Sequence, residues 1–169
     1  MRQRTYTLLL MKDYDGAREY YRKTMKLSPR GFFTAITALD TLEREQKGAL
    51  PTGTYLAYLS LEWMEDQGEK IRAVRQLVNR LPQFAPGWKE LAVLVDDDGE
   101  RLAALEKGLM VANDAETKGM LQINRALILE RQGDHDTAVR ILGELALDPN
   151  SPFDIEHIAK ASLATIVQK

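Results

Sequence analysis

The chain has 169 residues, of which 44% are hydrophobic and 28% charged, and its formal net charge is −2. These values are typical of a folded chain with a well-solvated surface, and the lack of a basic excess argues against general binding to a nucleic-acid backbone. Because the sequence contains no cysteine, disulfides, thiolate metal sites and cysteine nucleophiles are excluded, and we expect a reducing, cytoplasmic location.

The N-terminal residues combine basic side chains with a short apolar run, which raises the alternative of a signal peptide. The run is too short for that role, Lys12 and Asp13 follow it at once, and it lacks a small-residue cleavage site. No apolar run approaches the roughly 18 residues needed to span a bilayer. The sequence therefore predicts an N-terminal helix and no membrane association.

Helical periodicity continues along the whole chain, and turn residues divide it into segments. Helices are predicted at residues 1–11, 14–27, 30–46, 54–65, 71–81, 88–95, 100–112, 120–131, 137–147 and 153–167. Asp13 and Asp97 are placed to cap the helices that follow them, since a carboxylate accepts hydrogen bonds from free backbone amides. Gly68 and Gly99 are interpreted as breaks between helices. Together these features predict an all-α fold.

A step of 34 residues recurs in the second half of the chain. It separates Gly99 from Gly133 and also Ala104 from Ala138. Self-similar spacing of this length is typical of stacked helical hairpins. Small side chains are expected at the recurring positions, because a bulky side chain would hold two crossing helices apart.

The residues of this repeat point to a known family. Trp88, Leu91, Ala92 and Val95 share one helical stripe, and Leu142 lies where the next helix needs a large apolar residue. In this pattern the chain resembles the tetratricopeptide repeat (TPR) family, most strongly over residues 87–150. The resemblance implies a right-handed superhelix of stacked antiparallel helix hairpins, a TPR-like α-solenoid. It divides a single domain, residues 1–169, into approximate units at 1–29, 30–66, 67–86, 87–113 and 116–150, with a capping helix at 153–167.

The regular repeat fails between residues 46 and 68. From Lys12 to Gly68, turn to turn, is 56 residues, which exceeds one 34-residue repeat by 22. That excess leaves one helix too many or too few. Gly48 lies 36 residues after Lys12, close to one repeat, and so supports a different assignment of which helices come first and second in their hairpins. The two assignments cannot both hold in one regular stack. We therefore expect an irregular junction here.

Two groups of polar residues invite a chemical interpretation. The acidic run at residues 96–98 suggests calcium, but a calcium loop needs alternating ligands, so helix capping fits the consecutive carboxylates better. His135 lies between Asp134 and Asp136, a fragment of a catalytic triad, yet no serine lies in a glycine elbow to act as nucleophile. We interpret His135 as a turn residue and His157 as a surface residue of the last helix.

The remaining acidic residues fit a solvated surface. Glu62, Glu65 and Asp66 cluster at a helix end, where a charged rim is the expected structure. The sequence also lacks the glycine-rich loops that cradle phosphates. We therefore expect no catalytic residues, no metal site and no cofactor, and we do not expect an enzyme.

In TPR proteins, the first helices of the hairpins line a concave groove that takes peptides. The resemblance implies the groove positions Tyr58, Glu62, Lys89, Val93, Ile123, Asn124 and Leu127. Lys89 and Asn124 match positions that clamp a C-terminal carboxylate in one branch of the family, but Val93 and Leu127 replace asparagines there, so that ligand is not expected. The mixed apolar and acidic groove favours a ligand with apolar anchors and some positive charge.

Two functions from different classes follow. The first is a non-catalytic protein–protein interaction scaffold that binds a peptide or protein segment on the concave face. The alternative is a structural or oligomerisation module of a larger assembly or longer chain, with self-association as one form. Residues 54–64, which are apolar on several helical faces, favour the alternative, because such faces seek partners. Neither nucleic acid nor a membrane is expected as a partner.

Overall fold

Ten α-helices and one 3-10 turn make up the architecture of residues 2–32 and 34–168, which the computed structural model describes. The helices are α1 (Arg2–Leu10), α2 (Tyr14–Leu27), α3 (Ala35–Gln46), α4 (Thr54–Ser60), α5 (Gln67–Arg80), α6 (Ala85–Leu94), α7 (Asp98–Val111), α8 (Ala115–Arg131), α9 (His135–Leu147) and α10 (Phe153–Val167), and the 3-10 turn is Leu61–Trp63. No strand occurs within these described residues, and the fold is all-α. Phe33, predicted on the apolar face of the third helix, lies outside them.

Aspartate side chains begin half of the helices. The capping residues are Asp13, Asp66, Asp97, Asp114 and Asp134. In each case the carboxylate accepts a hydrogen bond from an amide of the first turn that has no partner inside the helix. The Asp97 carboxylate, for example, accepts from the amide of Glu100 at 2.7 Å. The caps predicted at Asp13 and Asp97 are confirmed.

The breaks predicted at Gly68 and Gly99 are wrong. Each glycine is the second residue of its helix, behind the caps Asp66 and Asp97. A Cβ at these positions would lie 3.3 Å and 3.1 Å from the capping carboxylate oxygens, so glycine fits beside the cap. The glycines therefore accompany helix starts and do not interrupt helices.

The third helix begins later than predicted, at Ala35 in place of residue 30. Gly31 and Thr34 both have positive φ, 83° and 60°, which no α-helix accommodates. The carbonyl of Arg30 accepts a hydrogen bond from the amide of Phe153 at 2.8 Å. The segment before α3 is therefore a connection of turns that contacts the start of α10.

The predicted helix at residues 54–65 is shorter in the structure. The helix α4 has seven residues and passes into the 3-10 turn, and the chain is extended at Met64. Its N-cap, Gly53, has no side chain to cap with, and the carboxylate of Glu45 on α3 replaces it. Glu45 accepts from the amides of Gly53 at 2.8 Å and Tyr55 at 2.7 Å.

The apolar interior of the described residues consists of three clusters. The first joins α1 to α4 around Leu9, Ala17, Ala38, Leu42 and Tyr55. The second joins the 3-10 turn and α5 to α8, and the third joins α8 to α10. Helices that follow one another pack together, with the 3-10 turn standing between α4 and α5. The helix α8 also contacts α3, α6 and α10. The helix α8 thus belongs to two clusters.

Candidate functional site

A cavity of about 140 Å³ lies where α3, α4, α6 and α8 meet. Its walls are mostly polar and aromatic. They are formed by Thr34, Thr37, Tyr55, Tyr58, Leu59, Leu61, Glu62, Lys89, Glu90, Glu116, Thr117 and Met120. A space of this size holds a few water molecules or a small side chain. Three of the seven predicted groove residues, Tyr58, Glu62 and Lys89, line it.

Lys89 lines this cavity beside Tyr58. Its ammonium group lies 5.6 Å from the centroid of the Tyr58 ring, within range of a cation–π interaction. Burial lowers the pKa of Lys89, but the Tyr58 hydroxyl and the carboxylates of Glu90 and Glu116 outweigh burial and hold it above its ordinary value. Lys89 is therefore protonated at neutral pH, and it acts as a charged donor and not as a nucleophilic amine.

The aromatic wall of the cavity supplies neutral hydroxyl groups. Burial raises the pKa of Tyr55 and, with less effect, that of Tyr58. The Tyr55 hydroxyl lies 3.4 Å from that of Tyr21, and the Tyr58 ring meets Phe84 edge-on at 5.6 Å. These contacts fix the two tyrosines in place. The wall offers hydrogen-bond donors and apolar ring faces, which suit binding better than acid–base chemistry.

Buried carboxylates close the opposite side of the cavity, where α3 meets α8. The amide of Thr37 donates to Glu116 at 3.0 Å, and the Thr37 hydroxyl donates to Asp114 at 2.9 Å. The same hydroxyl lies 3.1 Å from the hydroxyl of Thr117. Burial raises the pKa of Glu116, and the hydrogen bonds from Thr37 oppose that rise. We call these four residues the Thr37 cluster.

The remaining predicted groove residues lie on α6 and α8. Val93 is 56% exposed and Leu127 is 37% exposed, so both present apolar surface to solvent. Ile123 is 1% exposed and packs into the third apolar cluster, where a ligand cannot touch it. The Nδ2 of Asn124 is buried and has no hydrogen-bond partner among the described residues.

Other candidate residues stand apart from the cavity. His135 Nδ1 lies 2.9 Å from Glu130 Oε2, and the His157 ring stacks on Phe153 with centroids 5.8 Å apart. In the acidic run, Asp97 caps α7 and Asp98 accepts from Arg131 at 2.6 Å. The described part of the chain holds no group of three or more His, Cys, Asp or Glu side chains placed to bind a metal ion.

The Thr37 cluster could not be found from the sequence. Its Thr37–Glu116 hydrogen bond joins residues 79 apart, so no local pattern marks it. The sequence places the start of α8 near residue 120, whereas α8 begins at Ala115. Glu116 and Thr117 therefore fell in an apparent loop. The signal that was available is Asp114, a good N-cap residue directly before them.

Comparison of the chain with models of protein families, with curated proteins and with solved structures found no match. Within residues 2–32 and 34–168, no helix has the length and apolar character that crossing a bilayer requires. The TPR resemblance therefore stays a prediction from the sequence.

Proposed function

We propose that the chain is a non-catalytic, TPR-like scaffold that binds a peptide or protein segment on the surface formed by α4, α6 and α8. The packing of helices in succession, with further contacts of α6 with α8 and α8 with α10, supports a stack of helix hairpins, although α3 also contacts α8, beyond the neighbouring hairpin. Ala104 and Ala138, 34 residues apart, are both buried, which supports their assignment as crossing positions. We also propose that it acts in the cytoplasm, since it contains no cysteine.

The observation that carries this proposal is the exposure of two apolar side chains that the resemblance assigns to the groove. Val93 on α6 is 56% exposed and Leu127 on α8 is 37% exposed, and these two helices contact each other. Exposed apolar side chains on neighbouring helices suit a peptide with apolar anchors. Asn124 precedes Leu127 by one turn, but its Nδ2 is buried, so no ligand atom reaches it in this conformation.

Charge near this surface favours a ligand with positive side chains. Glu62 and Glu90 both line the cavity that adjoins it, and Glu90 forms an ion pair with Lys70 at 3.5 Å. Complementary charge increases the rate and the specificity of binding more than the affinity. The mechanism is pre-organisation: helices that are already packed lose little conformational entropy when the ligand binds.

The proposal is tested by selecting peptides from a random library on the purified chain and measuring their affinity by fluorescence anisotropy. We expect Val93→Asp and Leu127→Asp each to weaken binding about tenfold, which corresponds to about 1.4 kcal/mol. Met110→Asp is the matched control, because Met110 is an exposed apolar residue on α7. Equal affinity for all variants, or no selectable peptide, would contradict the proposal.

A structural module remains the second candidate, and one observation favours it. Leu147 and Val167 are both strongly exposed along an apolar groove between α9 and α10. Trp63, in the apolar stretch that first suggested this alternative, is also half exposed and meets Tyr6 edge-on with ring centroids 4.1 Å apart. Light scattering separates the candidates: a dimer that Leu147→Glu converts to a monomer supports the module.

A further inference from the structure

The cavity where α3, α4, α6 and α8 meet, which we call the Lys89 cavity, is open to solvent. Lys89 and Tyr58 are partly exposed and mark its mouth, whereas Tyr55, Glu116 and Thr117 are buried and form its floor. Its volume is about 140 Å³. An engineered apolar cavity of about 150 Å³ holds benzene, which has six carbon atoms. A molecule of about six to eight non-hydrogen atoms therefore fits the Lys89 cavity.

The walls of the Lys89 cavity carry charges of both signs. Lys89 is the only cation among the described residues that line it, and Glu62, Glu90 and Glu116 are the carboxylates. Glu90 also forms an ion pair with Lys70 at 3.5 Å. The attraction of Lys89 to Glu90 and Glu116 contributes to the raised pKa of the lysine. A positive group and several negative groups therefore face one small space.

The charged groups of the cavity keep hydrogen-bonding capacity. An ammonium group has three donors, and a carboxylate accepts at about four positions. An interaction with the Tyr58 hydroxyl takes up one donor of Lys89. Glu116 accepts hydrogen bonds from Thr37, whose amide lies 3.0 Å from Oε2. Lys89 and Glu116 can therefore each bind a further group of opposite charge.

This mixture of charges selects a ligand that carries both signs. A ligand with a negative charge alone would meet the carboxylates, and a ligand with a positive charge alone would meet Lys89, and both juxtapositions cost binding free energy. A zwitterion meets an opposite charge at each of its ends. The rings of Tyr55 and Tyr58, with centroids 6.5 Å apart, supply apolar surface for a short side chain between those ends.

We propose that the Lys89 cavity binds a small zwitterion, namely a free α-amino acid with a short side chain, such as L-alanine or L-serine. The ligand carboxylate pairs with Lys89, and the ligand ammonium group pairs with Glu116 and Glu62. An internal residue of a peptide does not fit this chemistry, because peptide bonds remove both charges. Val93 and Leu127, on which the peptide proposal rests, do not line the cavity, so this inference is independent of it.

The test is a titration of the isotope-labelled chain with L-alanine and L-serine, followed by the NMR shifts of backbone amides in α6 and α8. Isobutyrate and L-alaninamide are the matched control ligands, because each has the size of L-alanine and carries only one of its charges. We expect saturable shifts with a Kd of about 1 mM or lower for both amino acids, and binding at least about tenfold weaker for both controls. The proposal is overturned by a lack of saturation at about 10 mM amino acid, or by a control that binds as well as L-alanine.

A substitution then places the ligand in the cavity. Lys89→Met removes the partner of the ligand carboxylate, and we expect it to weaken the binding of L-alanine at least about tenfold. Lys107→Met is the matched control, because Lys107 also lies over an aromatic ring, 5.0 Å from the centroid of Trp88, outside this cavity. Equal affinities of the two variants would overturn the proposal. If Lys89→Met fails to fold, the two control ligands decide the question on the unaltered chain. Because the titration uses no peptide, failure here is distinct from failure to select one.

Discussion

The two ends of α8 make opposite kinds of contact. Its first turn meets α3 through hydroxyls and carboxylates, as Thr117 and Glu116 do with Thr37. Its later turns meet α9 through buried apolar side chains such as Ala126 and Leu142. Apolar burial is non-directional and contributes most of the stability of a fold, whereas buried polar groups need correct partners and gain little beyond them.

This difference assigns separate roles to one helix. The apolar end of α8 fixes its position in the stack, so substitutions there should act on the free energy of unfolding. The polar end holds a buried carboxylate with a raised pKa, so substitutions there should act on the pH dependence of stability. Substitutions at the apolar end are therefore expected to change the free energy of unfolding more than substitutions at the polar end.

The largest expected effect is that of Ala138→Trp. Ala138 is fully buried between α8 and α9, and a Trp side chain has no space there. We expect the free energy of unfolding to fall by about 1–3 kcal/mol or more, because overpacking a core forces side chains and backbone out of place. Urea unfolding followed by circular dichroism measures it. Ala161→Trp, at an exposed position of α10, is the control, and equal midpoints for the two variants would refute the assigned crossing position.

The apolar contacts at the later turns of α8 are the part that the sequence predicts well. The buried alanines and the helix α9 follow from periodicity, because residues three and four apart share a face whatever lies beyond. The polar contacts between the N-terminal and C-terminal helices do not follow, because Arg30 and Glu156, for example, are 126 residues apart. The groove residues divide in the same way. Val93 and Leu127 are exposed as a ligand surface requires, whereas the burial of Ile123 depends on α9 and α10 together.

A smaller effect is expected for Gly119→Ala, which tests how closely α10 approaches α8. A Cβ at Gly119 would lie 2.6 Å from Cγ2 of Ile155, a fully buried residue, so the helices would have to separate. We expect a loss of about 1–2 kcal/mol in the free energy of unfolding.

Gly143→Ala is the matched variant, and it is expected to raise the free energy of unfolding. Gly143 lies inside α9, and a Cβ there would meet nothing within 4 Å. The alanine should stabilise the chain by about 0.5–1 kcal/mol, because glycine is the poorer helix former. Denaturant midpoints that rise for both variants would show that α8 and α10 are not in the close contact described.

The smallest expected effect is the pH dependence of stability that Glu116 causes. It tests the polar end of α8. Burial raises the pKa of Glu116, so the folded chain binds a proton more readily than the unfolded chain does. From that sign, its contribution to stability increases as the pH falls from neutral through the raised pKa toward the ordinary value of 4.5. Glu156 acts in the opposite direction at lower pH, since Arg30 and Lys160 hold its pKa at about 2. Burial also raises the pKa values of Asp40 and Glu45, so above pH 4.5 these two groups act in the same direction as Glu116, and only a substitution separates its share.

Glu116→Gln should remove this dependence. The amide oxygen can still accept from Thr37, and no charge is buried near Asp114, Asp154 and Lys89, the charged groups that face it from α8, α10 and α6. The free energy of unfolding in urea should then change less between pH 7.5 and pH 5 for Glu116→Gln than for the unaltered chain. Glu106→Gln, at an exposed position of α7, is the control and should leave that change as it is. If Glu116→Gln titrates like the unaltered chain, the first turn of α8 does not hold a buried carboxylate, and the contrast between the two ends of that helix fails.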